Sequence, residues 1–212
     1  MGLLTSSSIA PSGSFAIWEV TEPIAFFEDK IALFEAERLE ISSLPAKRRM
    51  EWMATRFLLH EITAQTERMP CLKDAFGKPY LEGDEQFISL SHSGCFAAAI
   101  RSTMPSGIDI QVMNADIMRL APKFMNDTEI RRKPVLDVRA YCYMIWSAKE
   151  AMYKAYGKKE IDFREHMTVT SFDCHNEDMF FEGLLKKDGI SLSYSLFCRQ
   201  FDQLMMVYAV QK

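Results

Sequence analysis

Trp146, Glu150 and Lys154 stand four residues apart in Trp146-Ser147-Ala148-Lys149-Glu150-Ala151-Met152-Tyr153-Lys154, and Tyr143 precedes them by three. On a helix these positions form one stripe, so an aromatic pair, a carboxylate and an ammonium share a face. Such a Glu and Lys either pair on a solvated face or, because here they continue an apolar stripe, end a helix that looks into a polar cleft. A second carboxylate lies in Ser106-Gly107-Ile108-Asp109-Ile110-Gln111. Strand alternation puts Ile108 and Ile110 on one side and Asp109 and Gln111 on the other. Read alone, this is a half-buried strand with one wet face. Together with Glu150, however, Asp109 and Gln111 supply oxygen donors suited to Mg²⁺, which takes a few carboxylates and leaves other positions to water and substrate phosphate.

Further upstream, Gln86 to Ser91 runs as a strand into His92-Ser93-Gly94. Adjacent Ser and His make no nucleophilic triad, since neither the G-x-S-x-G turn nor an orienting acid is present. His92 is a structural histidine, or else it and Ser91 donate to phosphate. Gly77-Lys78-Pro79 is a plain turn or a rigid one that presents Lys78 to an anion. Lys47-Arg48-Arg49 and Arg56 place cations along a helix with a wide apolar face, and Arg38 lies just upstream. They are a solvated basic face or guanidinium groups for phosphate recognition.

These residues need elements to hold them. Residues 1–14, rich in Ser, Gly and Pro, read as a mobile leader. Phe15 to Val20 suits a strand, and Ile24, Phe27, Ile31 and Phe34 recur at helical spacing. Pro45 precedes a helix through about Ile62, followed by strands at Tyr80 to Leu81, Gln86 to Ser91 and Cys95 to Arg101. After the break at Met104-Pro105-Ser106 come a strand over Gly107 to Val112, a short helix over Ile117 to Phe124 and a long helix from Leu136 to Tyr156, which Gly157 stops. Met167 to Phe172, Met179 to Leu185, Ile190 to Arg199 and Leu204 to Val210 read as strands, with Lys187-Asp188-Gly189 as a hairpin turn. Each half runs helices before a cluster of strands, without βαβ alternation, so the fold class is α+β. The halves are an N-terminal subdomain, 15–104, and a C-terminal subdomain, 105–212.

Composition narrows the possible functions. The 25 basic and 29 acidic side chains give a formal charge of −4, which argues against non-specific duplex binding. Five scattered cysteines without a C-x-x-C pair indicate neither a disulfide framework nor a zinc site, and fit a reducing cytoplasm. No apolar run reaches membrane-spanning length, and no signal peptide is evident. The expectation is a cytoplasmic monomer with no nucleic-acid or membrane partner.

In chain order, Gly77-Lys78-Pro79, Ile88-Ser89-Leu90-Ser91-His92-Ser93, Gly107-Ile108-Asp109-Ile110-Gln111 and Trp146 to Lys154 resemble successive motifs of the 4'-phosphopantetheinyl transferase superfamily. Those motifs are a G-K-P turn, an S-x-S-H-S strand, a G-I-D-I-E strand and a W-x-x-K-E-x-x-x-K helix. Lys47 to Arg56 is similar to the family's K-R-R-x-E-x-x-A-x-R helix, and the likeness is to the Sfp-type, siderophore-synthase-activating branch. The resemblance implies two similar subdomains in a pseudo-twofold arrangement with the active site in the cleft between them. It implies transfer of the phosphopantetheine arm of coenzyme A to a serine of an apo acyl or peptidyl carrier protein of lipid or secondary-metabolite biosynthesis, with Mg²⁺ as cofactor. By the same resemblance Arg49, Arg56 and Arg38 hold the nucleotide end, while Lys78, Ser91 and His92, beside Pro79, meet its phosphates. Asp109, Glu150 and Gln111 place the metal; Glu150 accepts the serine proton and Lys154 stabilises the leaving 3',5'-ADP. Gln111 departs from the family's acid, so it ligates through its amide oxygen or through water. An inactive coenzyme A or carrier-binding module and a metal-dependent phosphohydrolase are the alternatives. The family's carriers are acidic, and the basic stretch Arg119 to Arg139, with Phe124 and Met125 as an apolar anchor, is the expected surface for one.

Overall fold

The computed structural model describes residues 2–63, 65–114, 116–132, 136–175 and 178–212 and, for 171–175, the backbone only. The chain divides into two compact units, Met1–Met104 and Pro105–Lys212.

The first unit is built on a four-stranded antiparallel sheet. Its strands are β1 (Leu3–Ser8), β2 (Gly13–Glu19), β5 (Phe87–Ser93) and β6 (Phe96–Ser102), in the order β1-β2-β6-β5. The short hairpin β3 (Cys71–Lys73) and β4 (Pro79–Leu81) stands apart from it. Helices α1 (Ile24–Lys30) and α2 (Glu35–Ser42) lead into α3 (Ala46–Thr63), which packs on β2 and β6. Met53, Leu58 and Leu59 of α3 are buried with Ala16, Ile88 and Ala97 of the strands. Phe26, Phe27, Phe57 and Trp18 meet edge to face, the arrangement that aromatic quadrupoles favour.

Two expectations are corrected here. The supposed mobile leader contains β1, whose Thr5 to Ser8 pair with Ile17 to Ser14 of β2. An edge strand needs only backbone partners on one side, and serine and threonine supply those as well as apolar residues do. The helical spacing of Ile24, Phe27, Ile31 and Phe34 does not mark one helix: the chain leaves helical geometry at Ile31 (φ −110°, ψ 108°) and re-enters at Glu35. The spacing persists across the break because Phe27 and Ile31 both turn into the same core.

In the second unit β7 (Ser106–Val112) opens the chain and pairs with the last strand, β11 (Leu204–Gln211). With β8 (Met167–His175), β9 (Asp178–Lys187) and β10 (Ile190–Phe201) the sheet order is β7-β11-β10-β9-β8. Between them lie a 3-10 turn at Ile117–Arg119 and the helices α4 (Ala121–Phe124), α5 (Asp127–Arg131), α6 (Val138–Tyr156) and α7 (Phe163–His166). Helix α6 packs on β7 and β11. Asp137 caps its start by accepting from the N–H groups of Arg139 and Ala140, and Gly157, at φ 70°, ends it. Asp188 and Gly189 both adopt positive φ between the paired Lys187 and Ile190, a two-residue hairpin turn. The two units thus share a plan: an early strand pairs with the unit's last strand, and one long helix covers both. No described helix is long and apolar enough to cross a membrane.

Candidate active site

The chemistry of the second unit gathers where α6 crosses β7. A Cβ built on Gly107 would stand 2.1 Å from the Ala151 carbonyl oxygen and 2.7 Å from the Ala155 nitrogen, so only glycine lets the helix come this close. That approach sets Lys154 against the strand, where its Nζ donates to Asp109 Oδ1 (2.8 Å) and to the Ile108 carbonyl (2.9 Å). Gln111 Nε2 donates to Asp109 Oδ2 at 3.2 Å. Asp109 is buried, as strand alternation toward the helix requires. Glu150, one helical turn before Lys154, has its carboxyl pushed up to about 7, first by burial and then by the negative charge of Asp109, with Lys154 opposing. Two carboxylates, one amide and one ammonium are therefore grouped on this side of the second unit. Among the described residues no group of three or more His, Cys, Asp and Glu side chains has metal-binding geometry, and the third oxygen donor here belongs to an amide.

In the first unit a cavity of about 300 Å³ opens beside α3. Its lining includes Arg48, Glu51, Trp52, Thr55 and Arg56 of the helix, with Glu40, Lys73, Pro79 and His92 around them. Arg56 is 7% exposed and lies over the Trp52 ring at 4.3 Å. Its Nε has no hydrogen-bond partner among the described residues, whereas the Trp52 indole interacts with the Glu40 carboxylate. His92 stands between Arg48, whose Nη1 is 3.2 Å from Nε2, and Glu51, whose carboxylate is 3.5 Å from Nδ1. Since an arginine only donates, this contact is a hydrogen bond in the tautomer that carries the proton on Nδ1, the nitrogen nearer Glu51. Lys73 pairs with Glu40.

The structure therefore gathers Arg56, His92 and Pro79 from the sequence-derived set at this cavity. Ser91 lies on the opposite face of β5 from His92, since neighbours on a strand diverge, and it does not line the cavity. Arg49, about 100° around the helix from Arg48, turns to Glu28 at 2.7 Å. Arg38 is exposed on α2 and Lys78 sits at the β4 turn, its Nζ 5.8 Å from the centre of the Phe87 ring; neither lines the cavity. Burial lowers the Lys78 ammonium to about 8, against the pull of Asp74. Sequence reasoning missed Lys73, Glu40, Glu51 and Thr55. Glu51 was legible as the i+3 partner of Arg48, whereas Lys73 lies on the short strand β3, which carries no periodic signal.

The basic stretch is also revised. Phe124 and Met125 are core residues, 2% and 3% exposed, and Phe124 packs on Trp146, so neither anchors a partner. Among the described residues, the large apolar side chains exposed there are Leu120, Ile130 and Val138, with Met118 just before the stretch. Arg132 is tied to the Val169 carbonyl and Arg139 to that of Met113, while Lys133 lies outside the described residues. Lys123 and Arg131 are exposed, and Arg119, also exposed, pairs with Asp116.

Residues 105–197 match the family model of the 4'-phosphopantetheinyl transferase superfamily. A 4'-phosphopantetheinyl transferase of Bacillus subtilis is 32% identical over 87 residues, which cover 39% of this chain and 39% of that protein. Those of Aneurinibacillus migulanus and Bacillus pumilus are 26% and 28% identical, over 51% and 66% of this chain and 46% and 61% of their own. The matched stretches span about half the length of these relatives. The family match thus falls on the second unit, the part of the chain in which Gly107, Asp109, Glu150 and Lys154 lie, and it is there that the chain is similar to the 4'-phosphopantetheinyl transferase superfamily.

Proposed function

We propose that the protein transfers the 4'-phosphopantetheine arm of coenzyme A to a serine of an apo acyl or peptidyl carrier protein and releases 3',5'-ADP. The observation that carries this reading is the convergence of Asp109, Gln111, Glu150 and Lys154 under one helix turn. The set fits Mg²⁺: every candidate ligand atom is a hard oxygen, and a divalent cation offsets both the burial and the Asp109 charge that raise the Glu150 carboxyl. When bound there, the metal supplies positive charge to the pyrophosphate of coenzyme A.

The chain's own groups supply the rest. Glu150, with its carboxyl near 7, is poised to take the proton of the attacking serine hydroxyl directly or through water. The serine oxygen then forms a bond to the phosphorus that carries the pantetheine, and the bond from that phosphorus to the bridging oxygen breaks. The charge that develops on 3',5'-ADP is one the Lys154 ammonium can stabilise. Arg48, Arg56, Lys73 and His92 make the cavity of the first unit suitable for a phosphorylated nucleotide, with Pro79 as a rigid wall. Arg38, Arg49, Lys78 and Ser91, which do not line that cavity, remain candidate contacts on the motif resemblance alone. Protein-linked intermediates are not required, so catalysis rests on positioning and charge neutralisation.

Incubation with coenzyme A, Mg²⁺ and a panel of apo carriers tests the reading. Carrier mass gain together with 3',5'-ADP supports it; binding without turnover indicates a binding module, and 3',5'-ADP release without a carrier indicates a hydrolase. Glu150→Gln should abolish carrier modification while coenzyme A still binds.

A further inference from the structure

Lys149, the residue before Glu150, points away from the carboxylate set and is fully buried with Glu129, both side chains being 0% exposed. Its Nζ lies 2.7 Å from Glu129 Oε2, 2.7 Å from the Phe124 carbonyl, 2.8 Å from that of Phe163 and 2.9 Å from that of Met167. An ammonium has three protons, so four oxygens saturate it. The acceptors come from the end of α4, from α5, from the start of α7 and from the start of β8. Glu129 extends the hub, its Oε1 accepting from the Val169 N–H (2.8 Å) and its Oε2 from that of Asn126 (2.9 Å). Tyr141 donates its hydroxyl to the Glu129 carbonyl, and Asn126 reaches Thr168.

Helices α4, α5 and α7 have four, five and four residues, too short to be stable alone. The ammonium projecting from α6, a helix itself anchored on the sheet, ties all three together from inside, while on the surface Arg164 of α7 bonds the Pro122 carbonyl and Asp127. The segment so held presents Leu120, Lys123, Asp127, Ile130 and Arg131 to solvent, and Asp127 is paired with Arg164, which leaves a net excess of positive charge. We propose that Lys149 is a positioning residue that fixes the 120–131 segment as a preformed basic and apolar face for the acidic carrier protein. The identity of that partner rests on the transferase reading above. The order of the segment does not.

Two measurements on the full chain separate these. In Lys149→Met, hydrogen exchange should accelerate at least ~10-fold at Glu129, Ile130, His166 and Val169, while amides of the α6 centre and of β10 and β11 keep their rates. The KM for apo carrier should rise several-fold, with the KM for coenzyme A unchanged. If the single variant fails to fold because a buried carboxylate is left unpaired, Lys149→Met with Glu129→Gln removes both charges and carries the same expectations. Exchange that accelerates uniformly, or not at all, overturns the proposal, as does selective loosening with an unchanged KM for carrier. Should the parent protein modify no carrier, the transferase reading fails, and the exchange pattern still decides whether Lys149 orders the segment.

Discussion

Glu150 concentrates the consequences that belong to single residues. Its carboxyl sits at about 7 in the folded chain against an ordinary 4.5, so folding favours the protonated form. The associated stability is fully present below about pH 4.5 and is lost as the pH rises through about 7. Replacing Glu150 by Gln should therefore leave stability unchanged near pH 4.5 and raise it by roughly 1 to 3 kcal/mol at pH 8, on the scale of ~1.4 kcal/mol per pKa unit. Urea denaturation of both proteins across this range checks it, and a difference that does not vary with pH would sink the assignment. Added Mg²⁺ should raise the melting temperature of the parent at pH 8 and not that of Glu150→Gln, because the cation repays only the ionised carboxylate. Much of this site was legible in the sequence, since an i,i+4 stripe and a period-two strand are local geometry. The Lys154 contact with Asp109 was not, because it depends on how tightly α6 sits on β7.

That closeness belongs to the element scale and turns on Gly107. In Gly107→Ala the new methyl would meet backbone atoms of α6 at 2.1 and 2.7 Å, and backbone cannot step aside as a flexible side chain can. The helix must lift, so the variant should lose about 1 to 3 kcal/mol of stability and the Lys154 to Asp109 pairing with it. An unchanged urea midpoint would show that the contact is softer than its geometry. Gly183, where a Cβ would meet the Met152 sulfur at 2.2 Å, is the informative contrast, since the thioether can swing away. Elements with a strong pattern were readable: α3 and α6 from apolar stripes and end signals, β9 to β11 from alternation and the Asp188-Gly189 turn. Helix α5 was missed although Asn126 and Glu129 form a capping box, each side chain accepting from the other's backbone N–H. A one-turn helix is too short to show a periodic apolar pattern.

At the scale of the whole molecule, a net charge of −4 sets the terms for recognising an acidic partner. Attraction must come from a local excess, and with Arg132 and Arg139 engaged by backbone carbonyls, Lys123 and Arg131 are the exposed cations to test. Reversing both to Glu should lower carrier kcat/KM by ~10-fold or more at low salt, and much less at 0.5 M, where screening shortens the reach of rim charges. Equal efficiency at low salt would place the carrier elsewhere. Strand β1 also matters at this scale. It forms the outer edge of the first sheet, and its exposed stretch Thr5 to Ser8 carries hydroxyls where an interior strand would carry apolar side chains. It therefore works as a lid on the hydrogen-bonding edge of β2, whose centre is Phe15, Ala16 and Ile17. A chain trimmed to begin at Ser12 would leave that apolar strand with unpaired N–H and C=O groups in water, a template for pairing with another copy. Light scattering of the trimmed protein should show concentration-dependent association that the untrimmed chain lacks, so the eleven residues removed act as protection against pairing between copies.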